Sequence, residues 1–128
     1  MKLDLLLCMN QKSCDDYYMD LKPEGILLAD ATFVTQLPIP RAYAIPFTRI
    51  AREKLGSELT ANIVALGTVS QITPIVSPKS LEKALLNRIP QGSEASTRQA
   101  LRAGINAAKQ VLKKIPNLLP YSIMEEEP

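Results

Sequence analysis

The sequence predicts an α/β fold: a three-layer open sheet, mostly parallel, with helices on both faces and a long C-terminal helix. Three observations lead there. LDLLLCM at residues 3–9 and ILLA at residues 26–29 are apolar without alternation, as strands covered on both faces of a parallel sheet are. A polar stretch long enough for a short helix separates them, giving strand, helix, strand. From Ser77 onward the apolar residues recur at helical spacing. A chain of 128 residues, 46% of them hydrophobic, buries about two-thirds of its unfolded surface, enough for one core without disulfides or metal. One domain is expected over residues 1–116, followed by an acidic tail, 117–128, that carries Glu125, Glu126 and Glu127.

The elements follow in order. After the first strand, Asp15 and Asp16 suit the positive end of a short helix, and Pro23-Glu24-Gly25 breaks it. Asp30 and Thr32 mark where the second strand leaves the core. Pro38 and Pro40 remove ladder donors, so residues 36–40 cross between elements. Residues 42–47 (AYAIPF) regain strand character, with Tyr43, Ile45 and Phe47 on one side and Pro46 at a strand end or sheet edge. Thr48 can cap the next helix and Gly56 suits the left-handed position after it. Residues 60–72 are apolar on nearly every side, so periodicity leaves helix and strand open and length favours helix. Gly67 within it is tolerable if another backbone packs closely there. Ser77-Pro78 starts a helix that Pro90-Gln91-Gly92 ends. Ser96 with Gln99 forms a capping-box pattern, and Ala100, Leu101, Ile105, Ala108, Val111, Leu112 and Ile115 give the last helix its apolar stripe before Pro116.

The composition excludes several chemistries. There are no histidines, which removes the usual nucleophile triads and the commonest metal ligand. Fifteen basic against thirteen acidic residues, interspersed, lack the footprint of a nucleic-acid binder. Cys8 and Cys14 are too few for a disulfide framework and are spaced unlike a cluster ligand set; Cys8 reads as buried and Cys14 as more exposed. The five glycines are too far apart for a dinucleotide fingerprint or a phosphate loop. No apolar stretch approaches the roughly 20 residues that span a bilayer and no signal peptide is visible, so the expected compartment is the cytoplasm. Asp30 sits where a phosphoacceptor would, but the preceding strand lacks the acidic pair. Asn10 and Gln11 lie just past the first strand, where open α/β sheets place ligands; they either hold a polar ligand or turn and cap the chain. Asn62 is either a buried amide satisfying backbone or a ligand contact. Arg41, Arg49 and Arg52 suit a carboxylate or phosphate, or a solvated helix face.

The order of LDLLLCMNQ, LKPEGILLADATFV, RAYAIPFTRIAREKLGSELTANIVALGTVSQIT and IPQGSEASTRQALRAG resembles the gamma subunit of 2-oxoacid:ferredoxin oxidoreductases, from about Leu3 to Ala108. Among branches it is most similar to the 2-oxoglutarate type, with pyruvate and branched-chain 2-oxoacids as alternatives. The resemblance implies an α/β subunit, itself non-catalytic, of an oxidoreductase that decarboxylates a 2-oxoacid, makes an acyl-CoA and reduces ferredoxin. It implies alpha and beta subunits as partners, which carry thiamine diphosphate, Mg and iron-sulfur clusters, with coenzyme A as co-substrate. Asn10, Gln11 and Asn62 become candidate contacts on the coenzyme A side. Family members begin with a strand and a Gly-rich turn, whereas this chain matches the later part, the C-terminal two-thirds of the gamma-type domain. Relatives often carry asparagine where this sequence has Thr97. A free-standing small-molecule-binding domain and a pure scaffold that pairs larger chains are the contrasting readings.

Overall fold

A computed structural model describes residues 3–39, 42–73 and 76–114. They form two compact units, one of residues up to Pro46 with the helix end from Val111, the other of Phe47–Gln110. The α/β class, the open parallel sheet and the long C-terminal helix are as the sequence predicts.

The first unit holds β1 (Leu3–Cys8), α1 (Gln11–Tyr17), a 3₁₀ turn (Tyr18–Asp20), β2 (Leu21–Asp30) and β3 (Tyr43–Ile45). The strands run in the order β1-β2-β3 and every pairing is parallel. Leu27 and Leu28 point to opposite faces and both are fully buried, which is why ILLA carries no alternation. Each contributes about 1.5–3 kcal/mol of apolar transfer. Leu6, Cys8, Cys14, Leu27, Ala29, Val34 and Ala42 form one buried cluster. Tyr43 and Ile45 are buried and Ala44 is exposed, the alternation of a half-covered strand that Pro46 stops.

Two expectations change here. β2 starts five residues before Ile26, so Pro23-Glu24-Gly25 lies within a strand rather than ending a helix. The ladder tolerates the proline because the register slips: Leu3 pairs Leu21 and Leu5 pairs Ile26, leaving Lys22 to Gly25 against Asp4 alone. Lys22 Nζ reaches Asp4 Oδ1 at 2.7 Å across this irregularity. Asp15 and Asp16 fall in the second half of α1 and not at its positive end, because Asn10 starts the helix earlier.

The second unit holds α2 (Phe47–Leu55), a 3₁₀ turn (Glu58–Thr60), α3 (Ala61–Ile72), α4 (Pro78–Leu86) and α5 (Glu94–Lys114), the last belonging to this unit as far as Gln110. α3 is a helix buried on most sides, which resolves the ambiguity left by its even hydropathy. The close backbone that Gly67 calls for is α5: a Cβ built on Gly67 would run into the Leu101 carbonyl, and one on Gly104 into the Val64 carbonyl. Thr68 Oγ1 donates to Gly104 O at 2.8 Å in the same crossing. Gly56 has φ +75°, the left-handed position expected after α2. Ser77 Oγ accepts from Ser80 N at 3.1 Å with Pro78 first in α4, as Ser77-Pro78 predicts.

Other boundaries shift. Thr48 lies inside α2, which already starts at Phe47, and is buried. α4 stops at Leu86, ahead of Ile89 and Pro90. α5 starts at Glu94, two residues before Ser96, whose hydroxyl donates back to Ser93 O at 3.0 Å. Thr97, Ala100, Leu101 and Ala108 are buried along it. Pro40, Arg41, Ile115 and the acidic tail lie outside the described residues.

Candidate functional site

All three strands end at the same edge of the first unit, β1 at Cys8, β2 at Asp30 and β3 at Ile45. In an open parallel sheet this edge is the default ligand position, since loops rather than ladder groups cover it. Asn10 and Gln11 follow β1 immediately. Asn10 has extended backbone, φ −149°, and its Oδ1 accepts from Ser13 N at 2.8 Å, so the side chain caps α1. Gln11 begins α1, and its amide joins the helix to the loop after β2. Its Oε1 accepts from Thr35 N at 2.9 Å and Gln36 N at 3.1 Å. Its Nε2 donates to Gln36 O at 2.8 Å and to Asp15 Oδ1 at 3.0 Å. One side chain thus engages both polar groups of the Gln36 backbone, as a neighbouring strand would.

Asp30 closes the end of β2. It is fully buried, its Oδ1 accepts from Thr32 N at 3.0 Å, and its carbonyl accepts from Phe33 N and Val34 N. Ala31 N donates to Ile45 O at 3.0 Å, so the turn leaves β2 still tied to β3. The polar groups at this edge therefore hold the loop after β2 against α1 and β3.

Cys14 differs from expectation: it is as fully buried as Cys8, because it faces inward from α1 into the β1–β2 cluster. The two thiols are hydrogen-bonded, Cys8 donating. Burial first, then that bond, pushes Cys8 up to about 12, and burial also raises Cys14. Both therefore stay protonated thiols at neutral pH, the form that neither attacks carbon nor binds metal. On the exposed side of α1, Lys12 and Asp16 pair at 2.6 Å, and the carboxylate holds the ammonium above the ordinary lysine range.

Asn62 is the second residue of α3, in the second unit, and it is exposed, which removes the buried-amide reading. Arg52 is tied to Glu58 at 3.2 Å, a pair that links α2 to the next turn, and Arg49 is exposed. Asn10 and Gln11 lie together in the first unit, whereas Asn62, Arg49 and Arg52 lie in the second. Sequence reading missed what Gln11 holds, since its partners lie 24 and 25 residues away and nothing local signals them.

Among the described residues no group of three potential metal ligands occurs, and the only thiols are turned toward each other inside the core. Two cysteines are fewer than the four thiolates that hold a common iron-sulfur cluster. No helix of the described residues is long and apolar enough to cross a membrane.

Fold and site together define a class: a parallel α/β unit whose strand-end polar groups organise their own loops. Similarity to known proteins gives the family. Residues 1–107 match pyruvate ferredoxin/flavodoxin oxidoreductase, and the chain belongs to that family. It is 40% identical over 114 residues to the 2-oxoglutarate synthase subunit KorC of Methanocaldococcus jannaschii, covering 86% of this chain and 61% of that protein. It is 32% identical to KorC of Methanothermobacter marburgensis, covering 79% and 59%. The keto/oxoacid ferredoxin oxidoreductase gamma subunit of Geobacter sulfurreducens superposes with a TM-score of 0.80 at 38% identity, covering 85% of this chain and 63% of that one. The chain therefore spans about three-fifths of the length of these relatives.

Proposed function

We propose that this chain serves as the gamma-type part of a 2-oxoacid:ferredoxin oxidoreductase, with 2-oxoglutarate as the 2-oxoacid. The observation that carries the reading is the 40% identity over 114 residues to a 2-oxoglutarate synthase subunit. In this reading the enzyme converts 2-oxoglutarate and coenzyme A to an acyl-CoA and carbon dioxide while ferredoxin takes two electrons. In this reading thiamine diphosphate, Mg and the iron-sulfur clusters sit on alpha and beta partners, and the two cysteines of this chain are fewer than a common cluster needs. Residues 1–116 act as one functional domain with 117–128 as its tail. The free thiols Cys8 and Cys14 suit the reducing cytoplasm, where such an enzyme meets ferredoxin.

This chain's share is assembly, together with a contribution on the coenzyme A side. Asn10 of the first unit and Asn62 of the second would each offer an exposed amide to a ligand, and Gln11 would act by fixing residues 35 and 36 beside Asn10. The test is co-expression with the alpha and beta subunits encoded in the same genome, followed by native mass measurement. A stable complex with one copy of this chain for each alpha–beta pair is expected. Co-purification of alpha and beta alone, with this chain left behind, would overturn the reading.

A further inference from the structure

The second unit carries a groove of about 160 Å³ between α4 and α5, remote in sequence from Asn10, Gln11 and Asn62. Its floor is Leu101, 4% exposed, and Ile105, one turn further along α5. Its rim is basic. Arg98 and Arg102 stand one turn apart on α5, about 6 Å along the helix axis, and both are exposed. Lys79 faces them from the first turn of α4, where the helix dipole adds positive potential.

The only carboxylate lining the groove is Glu82, and it meets Arg98 Nε at 3.8 Å with both side chains nearly half exposed. An exposed pair that long contributes little and leaves the guanidinium free to turn. Lys79 and Arg102 have no ion-pair partner among the described residues. Elsewhere on the described surface the cations Lys12, Lys22 and Arg52 are each matched to a carboxylate. Lys54, Lys83, Arg88, Lys109 and Lys113 are also exposed without an ion pair among the described residues; at the groove, Lys79 and Arg102 set such charge beside apolar surface. Arginines next to a desolvated aliphatic floor are the composition of a protein interface core and its rim.

The spacing selects the occupant. Two arginines at i and i+4, flanking two aliphatic residues at i and i+4, repeat at the pitch of a helix. A partner helix laid along α5 would meet Arg98 and Arg102 with carboxylates one turn apart and fill the floor with the aliphatic residues between them. Guanidinium groups bind carboxylates through paired hydrogen bonds, which sets register as well as attraction. We propose that the groove between α4 and α5 docks an acidic amphipathic helix of a partner subunit of the same enzyme, an assignment that rests on the subunit reading.

The test measures the affinity of the full chain for the purified alpha–beta pair by biolayer interferometry at several salt concentrations. Arg98→Glu with Arg102→Glu is expected to weaken binding about tenfold or more and to flatten its salt dependence. Lys54→Glu with Arg88→Glu makes the same charge change at exposed positions off α5 and outside the groove and is expected to leave binding within about twofold. Carbodiimide coupling is expected to join Lys79 to an aspartate or glutamate of the partner. If wild type binds and both double variants bind alike, whether both normally or both weakly, the groove assignment is overturned and the subunit reading stands. If wild type does not bind the alpha–beta pair, the subunit reading fails and takes this assignment with it.

Discussion

The two units are held together by different physics. In the strand unit, polar side chains set the loops: Gln11 holds residues 35 and 36, Asn10 starts α1, and Asp30 shapes the turn that leaves β2. In the helical unit the decisive feature is a missing side chain, since α3 and α5 meet where Gly67 and Gly104 let carbonyls approach, with Thr68 bonding across the same crossing. The first design can lose one hydrogen bond and relax. The second cannot accept one methyl group.

Substitutions can break or sharpen that contrast. Gly104→Ala is expected to be the most damaging, because the new Cβ collides with the Val64 carbonyl and neither helix backbone can give way. Overpacking of this kind costs about 3 kcal/mol or more, a fall in Tm of roughly 10 °C or failure to fold. Gly92→Ala sharpens the reading: its φ is +95° with open space around it, so conformation alone should cost about 1 kcal/mol. Equal Tm values for the two variants would remove the close crossing as an explanation.

In the strand unit, Gln11→Ala deletes all four amide bonds at once, and because they are partly exposed the expected cost is about 1–3 kcal/mol. Proteolysis between Thr35 and Leu37 should speed up in parallel, which a cleavage map would show. A variant with the wild-type Tm and cleavage pattern would mean that the loop holds itself. Asn10→Ala removes one cap and should cost about 1 kcal/mol. If Asn10 also meets coenzyme A, the Michaelis constant of the assembled enzyme for coenzyme A should rise while that for 2-oxoglutarate stays. A lower Tm with both constants unchanged would leave it a cap only.

The smallest effect expected near neutral pH concerns the thiols. Below the ordinary value of 9.0 both folded and unfolded chains keep Cys8 protonated, and nothing is lost. As pH rises from there toward about 12, only the unfolded chain releases the proton, so stability falls across that window. A melt series from pH 7 to 10.5 should show a flat region and then a decline that Cys8→Ala reduces. At pH 8 a thiol reagent should label the native chain slowly and the unfolded chain at both cysteines. Rapid labelling of the native chain would contradict the buried pair.

The same contrast explains what the sequence reveals. Apolar runs give β1 and the centre of β2, and Ser77-Pro78 gives the start of α4, because these signals are local. Gly67 is legible as a close approach, although its partner Leu101 is not. β2 beginning at Leu21 is hidden by Pro23, since only the slipped register against Asp4 shows how a proline fits. Cys14 reads as exposed because its neighbours are polar, and only the inward face of a seven-residue helix buries it. At the strand ends, the capping role of Asn10 is legible because its partner Ser13 is local, whereas the bonds of Gln11 to residues 35 and 36, beyond β2, are not. The basic rim of Lys79, Arg98 and Arg102 needs two helices side by side before it exists at all.

The central claim is that the chain works as part of a 2-oxoacid:ferredoxin oxidoreductase, and one assay addresses it directly. Alpha and beta subunits loaded with thiamine diphosphate and Mg are assayed for viologen reduction with 2-oxoglutarate and coenzyme A, with this chain omitted and then added in increasing amounts. The account predicts no turnover from the chain alone and activity that rises with added chain until it reaches one copy per alpha–beta pair. Full activity of the alpha–beta pair without the chain, unchanged on its addition, would contradict it.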